Sequence, residues 1–189
     1  MNIGFAMCGS FCTFSKVFET MEAVSRIHTV TPIFSGNVCA IDSRFGTAGE
    51  HWQRAKNICG TEPLRTIEQV EPIGPKKLLD ALVIAPCTGN TLAKLAHSIA
   101  DTAVTMAAKS HLRNGRPVVI AVSTNDALAG AAENIGRLMA RKHYYFVPFG
   151  QDDPKGKPTS MVADFDQLLP TLEAALEGRQ IQPVLVNKR

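Results

Sequence analysis

The sequence predicts an α/β protein, a doubly wound parallel sheet held between two helical layers as a three-layer α/β/α sandwich. Three observations carry the prediction. Short continuous apolar runs recur along the chain, as in strands covered on both faces. Segments with apolar residues at helical spacing lie between them. Turn-forming residues cluster where one pattern gives way to the other, so strand and helix alternate in a Rossmann-like or flavodoxin-like rhythm. The 189 residues, 45% of them hydrophobic, suffice for one core and call for a single domain over residues 1 to 189.

The first run, residues 2 to 7, is followed by Cys8-Gly9-Ser10 and then by Phe11, Phe14, Phe18 and Met21 at helical spacing. This reads as strand, turn and amphipathic helix. Residues 29 to 34 form a second strand in which Pro32 demands an edge or a bulge. Residues 81 to 85, 117 to 122 and 144 to 148 are three more strands. Helices are expected at about 50 to 58, 90 to 99, 101 to 112 and 126 to 142, the last with Leu128, Ala131, Ile135 and Leu138 on one stripe. Residues 164 to 177 carry another stripe, which Pro170 must begin or kink, and 181 to 186 read as a last edge strand. Residues 36 to 80 and 150 to 163 are rich in Gly and Pro and break the rhythm, so both read as long functional or mobile loops, the second flap-like.

A net charge of +3 and an aromatic content of 6% provide neither a basic stripe nor a stacking platform for nucleic acid. No run approaches the ~20 apolar residues of a membrane helix, so a cytoplasmic protein is expected. Five scattered cysteines are not a disulfide framework, and no pair has the spacing of a metal finger, so reduced thiols and no metal are expected.

Three predicted strands end in small polar residues. The first ends at Gly9-Ser10, the third at Thr88-Gly89-Asn90-Thr91 and the fourth at Ser123-Thr124-Asn125-Asp126. In an open parallel sheet, ligands bind outside the carboxyl ends of the strands, where helix starts present free N–H groups. Helix caps and turns use the same residue types, but three such clusters on one edge point to a shared ligand. Gly9-Ser10 is suited to an anion. Neither GxGxxG nor GxxxxGK[ST] occurs, so a dinucleotide fingerprint and a P-loop are not supported.

These residues resemble the homo-oligomeric flavin-containing cysteine decarboxylase superfamily. The resemblance is carried by Gly9-Ser10, Ala85-Pro86, Gly89-Asn90-Thr91-x-Ala93-Lys94, Ile99-Ala100-Asp101 and Asn125. Phe45-Gly46, the run from Glu71 to Lys76, Asn114 to Pro117, Ser123 to Leu128 and Pro148 to Pro154 narrow it. They are similar to the B subunits of two-subunit enzymes that make pyridine-2,6-dicarboxylate (dipicolinate) in the mother cell of spore-forming bacteria. The resemblance implies that Gly9, Ser10 and Ser35 hold the phosphate of FMN. It implies that Thr88, Gly89, Asn90 and Thr91 line the flavin, with Ser123, Thr124 and Asn125 at the fourth strand. It also implies a trimer or dodecamer and an A subunit that carries NAD(P).

The chain departs from the decarboxylase pattern at two places. The Pro-x-Met-Asn element reads Val122-Ser123-Thr124-Asn125, and the histidine before the third strand is replaced by the run from Pro72 to Lys77. His51 lies nearby and reads as a surface residue, so no catalytic residue is assigned. Oxidation of a cyclic dicarboxylate to an aromatic ring needs a hydride acceptor and cations near the dianion. Lys155 and Lys157, and also Lys76 and Lys77, are the substrate-binding candidates. A decarboxylase-like flavoenzyme, or a non-catalytic partner with an empty flavin site, are the other readings.

Overall fold

Continuous apolar runs form the inner strands. In the computed structural model, which describes residues 1–187, β1 (Asn2–Met7), β3 (Ala81–Cys87) and β4 (Val118–Thr124) are buried along nearly their whole length. β2 (Thr29–Phe34) pairs parallel with β1, β1 with β3, and β3 with β4. The outer edge of β4 is shared. Its first half pairs parallel with β5 (Tyr144–Phe146), and Ser123 and Thr124 pair antiparallel with β7 (Met161–Ala163). β6 (Phe149–Gly150) pairs antiparallel with β7. Among the described residues the sheet has seven strands, ordered β2-β1-β3-β4-β7-β6 with β5 beside β4.

Pro32 sits on the edge strand, as its missing N–H requires. Its carbonyl accepts from Leu64 N at 2.9 Å, so the side of Pro32 that lacks a donor faces away from β1. Pro86 coincides with a register shift in the β3–β4 ladder between Ile84 and Cys87, because proline has no N–H to donate there. Pro170 lies in the first turn of α8 (Leu168–Leu176), where a proline costs no helix bond.

Helices cover both faces. α1 (Phe14–Ser25) buries Phe14, Val17, Phe18, Met21 and Val24 and packs beside α8 on one face. α5 (Gly89–Ala96), α6 (Ala103–Leu112) and α7 (Ala132–Met139) pack together on the other. Lys94, from α5, meets both carboxylate oxygens of Asp101 at 2.8 Å and closes the α5–α6 connection. No helix among the described residues is long and apolar enough to cross a membrane.

Four expectations need correction. The region 36 to 80 is more regular than a long loop: besides α3 (Ala48–Cys59), which matches the helix expected at about 50 to 58, it contains α2 (Gly36–Ala40) and α4 (Ile67–Val70). The helix expected from 126 begins only at Ala132. The preceding backbone is occupied elsewhere, with Leu128 N donating to Thr159 O at 3.0 Å and the Thr159 hydroxyl donating to Asn125 O at 2.7 Å. Leu128 is consequently exposed. The fifth strand stops at Phe146, before Pro148, and the tail makes a single bridge, Leu185 to Phe149, rather than a strand.

Candidate functional site

The carboxyl ends of β1, β3 and β4 open onto one cleft of ≈ 680 Å³. Gly9 and Ser10 reach it from the turn after β1, Thr88, Gly89 and Asn90 from the β3–α5 turn, and Ser123, Thr124 and Asn125 from the end of β4. β3 separates β1 from β4, yet the Ser10 and Ser123 hydroxyls lie 2.8 Å apart. The turn after β1 therefore arches over the end of β3, and one hydroxyl pair ties two of the three polar clusters together.

Close approach explains the glycine at 89. A Cβ added there would lie 2.8 Å from Asp126 Oδ1 and 2.9 Å from Thr124 Oγ1, so any side chain would displace the turn after β4. Gly9 is set against Asn37, whose Cβ would be 3.3 Å from an added Cβ. This contact brings the Ser35-Gly36-Asn37 turn beside the one at Gly9 although Ser35 does not line the cleft itself. Thr91 is also placed behind the wall. It is buried, accepts from the Thr88 hydroxyl at 3.2 Å and donates to Cys8 Sγ at 3.3 Å. Burial pushes the Cys8 thiol up to about 11, so it stays protonated in this contact.

Six of the serines and threonines at helix starts form two contrasting sets. Thr47, Thr66 and Thr102 each complete a capping box, at α3, α4 and α6. Ser10, Ser35 and Thr88, all just past strand ends on the ligand edge, make no cap hydrogen bond. The Ser35 hydroxyl is buried with no hydrogen-bond partner among the described residues. Buried polar groups are rarely left unpaired. Uncapped helix starts and an orphaned hydroxyl beside Gly9 fit an anionic group such as a phosphate, and the cleft volume of ≈ 680 Å³ is in the range of small-molecule sites.

The loop from Gln151 to Pro158 crosses the same edge, carried by the β6–β7 hairpin. Gln151 Nε2 donates to Pro158 O at 2.7 Å, and Gly156 N donates to Asp153 Oδ1 at 2.9 Å. Lys157 reaches the cleft and is held 3.0 Å from Asp152 Oδ2. Burial acts to raise the Asp152 carboxyl, but hydrogen bonds from Ser160 and Lys157 outweigh it and hold it below the usual range. Lys155 is exposed and does not line the cleft. Lys76 and Lys77 precede β3 and so belong to the opposite, amino-terminal edge of the sheet. Strand polarity alone excludes that pair.

His51 is a correction. It is 5% exposed, not a surface residue, and its ring packs against Phe11, Phe14 and Phe18 with centroids 6.3, 4.7 and 5.9 Å away. Burial lowers its pKa, which favours the neutral ring. The cleft is also lined by Phe11, Cys12, Ser43, Arg44, Phe45, Asp126, Asp152, Ser160 and Val162, none of which the sequence marks as a binding residue. Phe45, Asp126 and Asp152 belong to motifs that carry the resemblance, and Phe11 to the helical stripe after the first strand; the others follow no local pattern. Among the described residues no group of three His, Cys, Asp or Glu could hold a metal ion.

A doubly wound sheet whose carboxyl edge presents uncapped helix starts defines a ligand-binding α/β protein, and this chain belongs to the Flavoprotein family, whose model matches residues 1–165. It is a homologue of the dipicolinate synthase B subunit: it is 47% identical to that protein of Bacillus subtilis (strain 168) over 187 residues, 98% of this chain and 94% of the relative. The crystal structure of the dipicolinate synthase B subunit from Bacillus halodurans C superimposes with a TM-score of 0.91 at 46% identity, covering 100% of this chain and 97% of that one. The FMN-dependent cysteine decarboxylase SpaF shares the fold, with a TM-score of 0.63 at 20% identity, covering 92% and 95%.

Proposed function

We propose that this chain is the flavin-holding B subunit of a dipicolinate synthase. It acts with an NAD(P)-binding A subunit to oxidise the cyclic intermediate of the dihydrodipicolinate pathway to pyridine-2,6-dicarboxylate during sporulation, in the mother-cell cytoplasm. The observation that carries this reading is the likeness to the dipicolinate synthase B subunit along nearly the whole chain, at 47% identity. The cleft supports it chemically. Gly9, Ser10 and Ser35 would bind the FMN phosphate, and Thr88 to Asn90 with Ser123 to Asn125 would flank the ring. When bound, FMN supplies a ring able to accept a hydride equivalent.

The chain's own part is orientation and exclusion of water. The Ser10–Ser123 pair fixes the floor of the cleft, and the Gln151–Pro158 loop stands over its edge. Both carboxylates that reach the cleft are engaged, Asp126 by the Thr124 hydroxyl at 2.5 Å and Asp152 by Lys157. They would fix the orientation of ligand hydroxyl or N–H groups. Co-expression with an A subunit tests the reading. Product should form with both chains present, and the purified B chain should carry flavin colour. An A subunit that makes pyridine-2,6-dicarboxylate equally well without this chain would overturn it.

A further inference from the structure

The cleft contains two cations, Arg44 and Lys157, and they are not equivalent. Lys157 is committed to Asp152 at 3.0 Å. Arg44 forms no ion pair among the described residues, and its guanidinium carbon lies 4.8 Å from the centroid of the Phe45 ring. A ring face orients a cation without cancelling its charge. With Asp126 and Asp152 set against Arg44 and Lys157, the cleft has no surplus positive charge. A dianion must therefore find the cation that is not already taken, which is Arg44.

The backbone that presents Arg44 is held tightly. Ser43 and Gly46 exchange N–H···O bonds of 3.0 and 3.1 Å, closing a two-residue turn with Arg44 and Phe45 at its tip. The Ser43 hydroxyl accepts from Phe45 N at 3.1 Å. Gly46 has φ +126, a conformation other residues rarely adopt, and a Cβ there would strike the buried His51 ring at 2.7 Å. On the far side Asp42 accepts from Ala48 N at 2.9 Å, next to the Thr47 capping box. Phe45 remains 43% exposed at the cleft rim. A large exposed aromatic on a rigid turn, carrying an unpaired guanidinium, is arranged for recognition rather than for packing.

We infer that Arg44 selects for a dicarboxylate: the hydroxyl and N–H donors lining the cleft receive the carboxylate that mono- and dicarboxylate share, and Arg44 takes the second carboxylate of a planar ring ligand through its two-pronged N–H face, with Phe45 as the positioning residue that holds the guanidinium in place. A carboxylate matches the guanidinium fork, whereas a lysine at this position would offer a point charge. The inference rests on the reading that the cleft receives the dianionic substrate or product, and it identifies the group that distinguishes two carboxylates from one.

The test compares two ligands, pyridine-2,6-dicarboxylate and pyridine-2-carboxylate, by calorimetric titration of the flavin-loaded chain together with the A subunit. Wild type should favour the dicarboxylate. R44A should lose affinity for it by roughly ten- to a hundredfold, the scale of a charge-assisted hydrogen-bond pair, while affinity for the monocarboxylate stays put. R44K should fall between, and F45A should weaken the dicarboxylate alone. Melting temperature and FMN uptake report whether each variant folds, and the exposed turn should leave both unchanged. If R44A and R44K bind both ligands as wild type does while the reconstituted enzyme still forms product, the inference is wrong and the functional reading stands. If wild type binds neither ligand and the reconstituted pair makes no product, the functional reading fails and takes the inference with it.

Discussion

A hydroxyl at a helix start can close the helix or be left for a ligand, and Thr102 and Ser35 divide on that point. Thr102 accepts from Thr105 N in a full capping box, so Thr102→Ala should cost about 1 kcal/mol of stability and leave FMN uptake unchanged. Ser35 has a buried hydroxyl with no partner among the described residues. Removing an unsatisfied polar group is neutral or mildly stabilising, so Ser35→Ala should not lower the melting temperature of the ligand-free chain. It should weaken FMN binding by about tenfold, the value of one hydrogen bond to a charged group. Flavin fluorescence titration of both variants checks this, and an unchanged FMN affinity in Ser35→Ala would remove that residue from the phosphate site. Gly89→Ala gives the steric counterpart. Its Cβ would push on Asp126 and Thr124, so a loss of about 1–3 kcal/mol in stability and of flavin uptake is expected in the same titration.

The element that most shapes the cleft is the β6–β7 hairpin with its loop. β7 attaches to the last two residues of β4, and this pairing brings Asp152, Lys157, Ser160 and Val162 to the edge where Ser123 and Thr124 end. The two lysines of the loop should then behave differently. Lys155→Ala should leave ligand affinity and turnover within error, because that side chain lies outside the cleft. Lys157→Ala frees the Asp152 carboxylate, and a dianionic ligand should bind a few-fold more weakly, with a dependence on salt that the wild type shows less strongly. Steady-state KM at two ionic strengths reads both outcomes. Equal effects of the two substitutions would mean that the loop acts through its overall charge and not through the position of Lys157.

For the whole molecule, one buried group links folding to pH. His111 is fully buried on α6, with one ring nitrogen 3.0 Å from Pro117 O and the other without a partner among the described residues. Burial lowers its pKa from 6.5 to about 4, outweighing the opposing bond to Pro117. The unfolded chain then takes up a proton at a pH where the folded chain does not, so the neutral form stabilises the fold above about pH 6.5 and this stability is lost as pH falls towards 4. The loss amounts to about 3 kcal/mol for this group. Urea melts between pH 7 and 4 should show the decline, and a His111→Gln chain should show a shallower one. Assembly is the second property at this scale. Ile99, Leu128 and Met139 are 47%, 51% and 44% exposed, and light scattering at micromolar concentration should show at least a trimer. A monomer would contradict it.

The alternation of apolar runs and amphipathic helices determined the layers by itself, because parallel strands buried on both faces read as unbroken apolar runs. Strand polarity then placed Ser10, Gly89, Asn90, Ser123 and Asn125 on one edge, since every βα turn of a parallel sheet leaves from the carboxyl end. Pro32 even marked the edge strand. Other features depended on contacts distant in sequence. The helix expected at residue 126 is delayed by bonds to Thr159, 31 residues or more away along the chain, and local propensity carries no trace of such partners. Thr47 announces its cap through Glu50 three residues on, whereas the box that Thr102 closes with Thr105 carries no such signature. His51 reads as polar and exposed until three phenylalanines from a neighbouring segment close around it. Arg44 and Lys157 look alike in composition, and only the fold pairs one with a carboxylate and leaves the other without an ion pair among the described residues, because ion pairing depends on distances that chain folding alone sets.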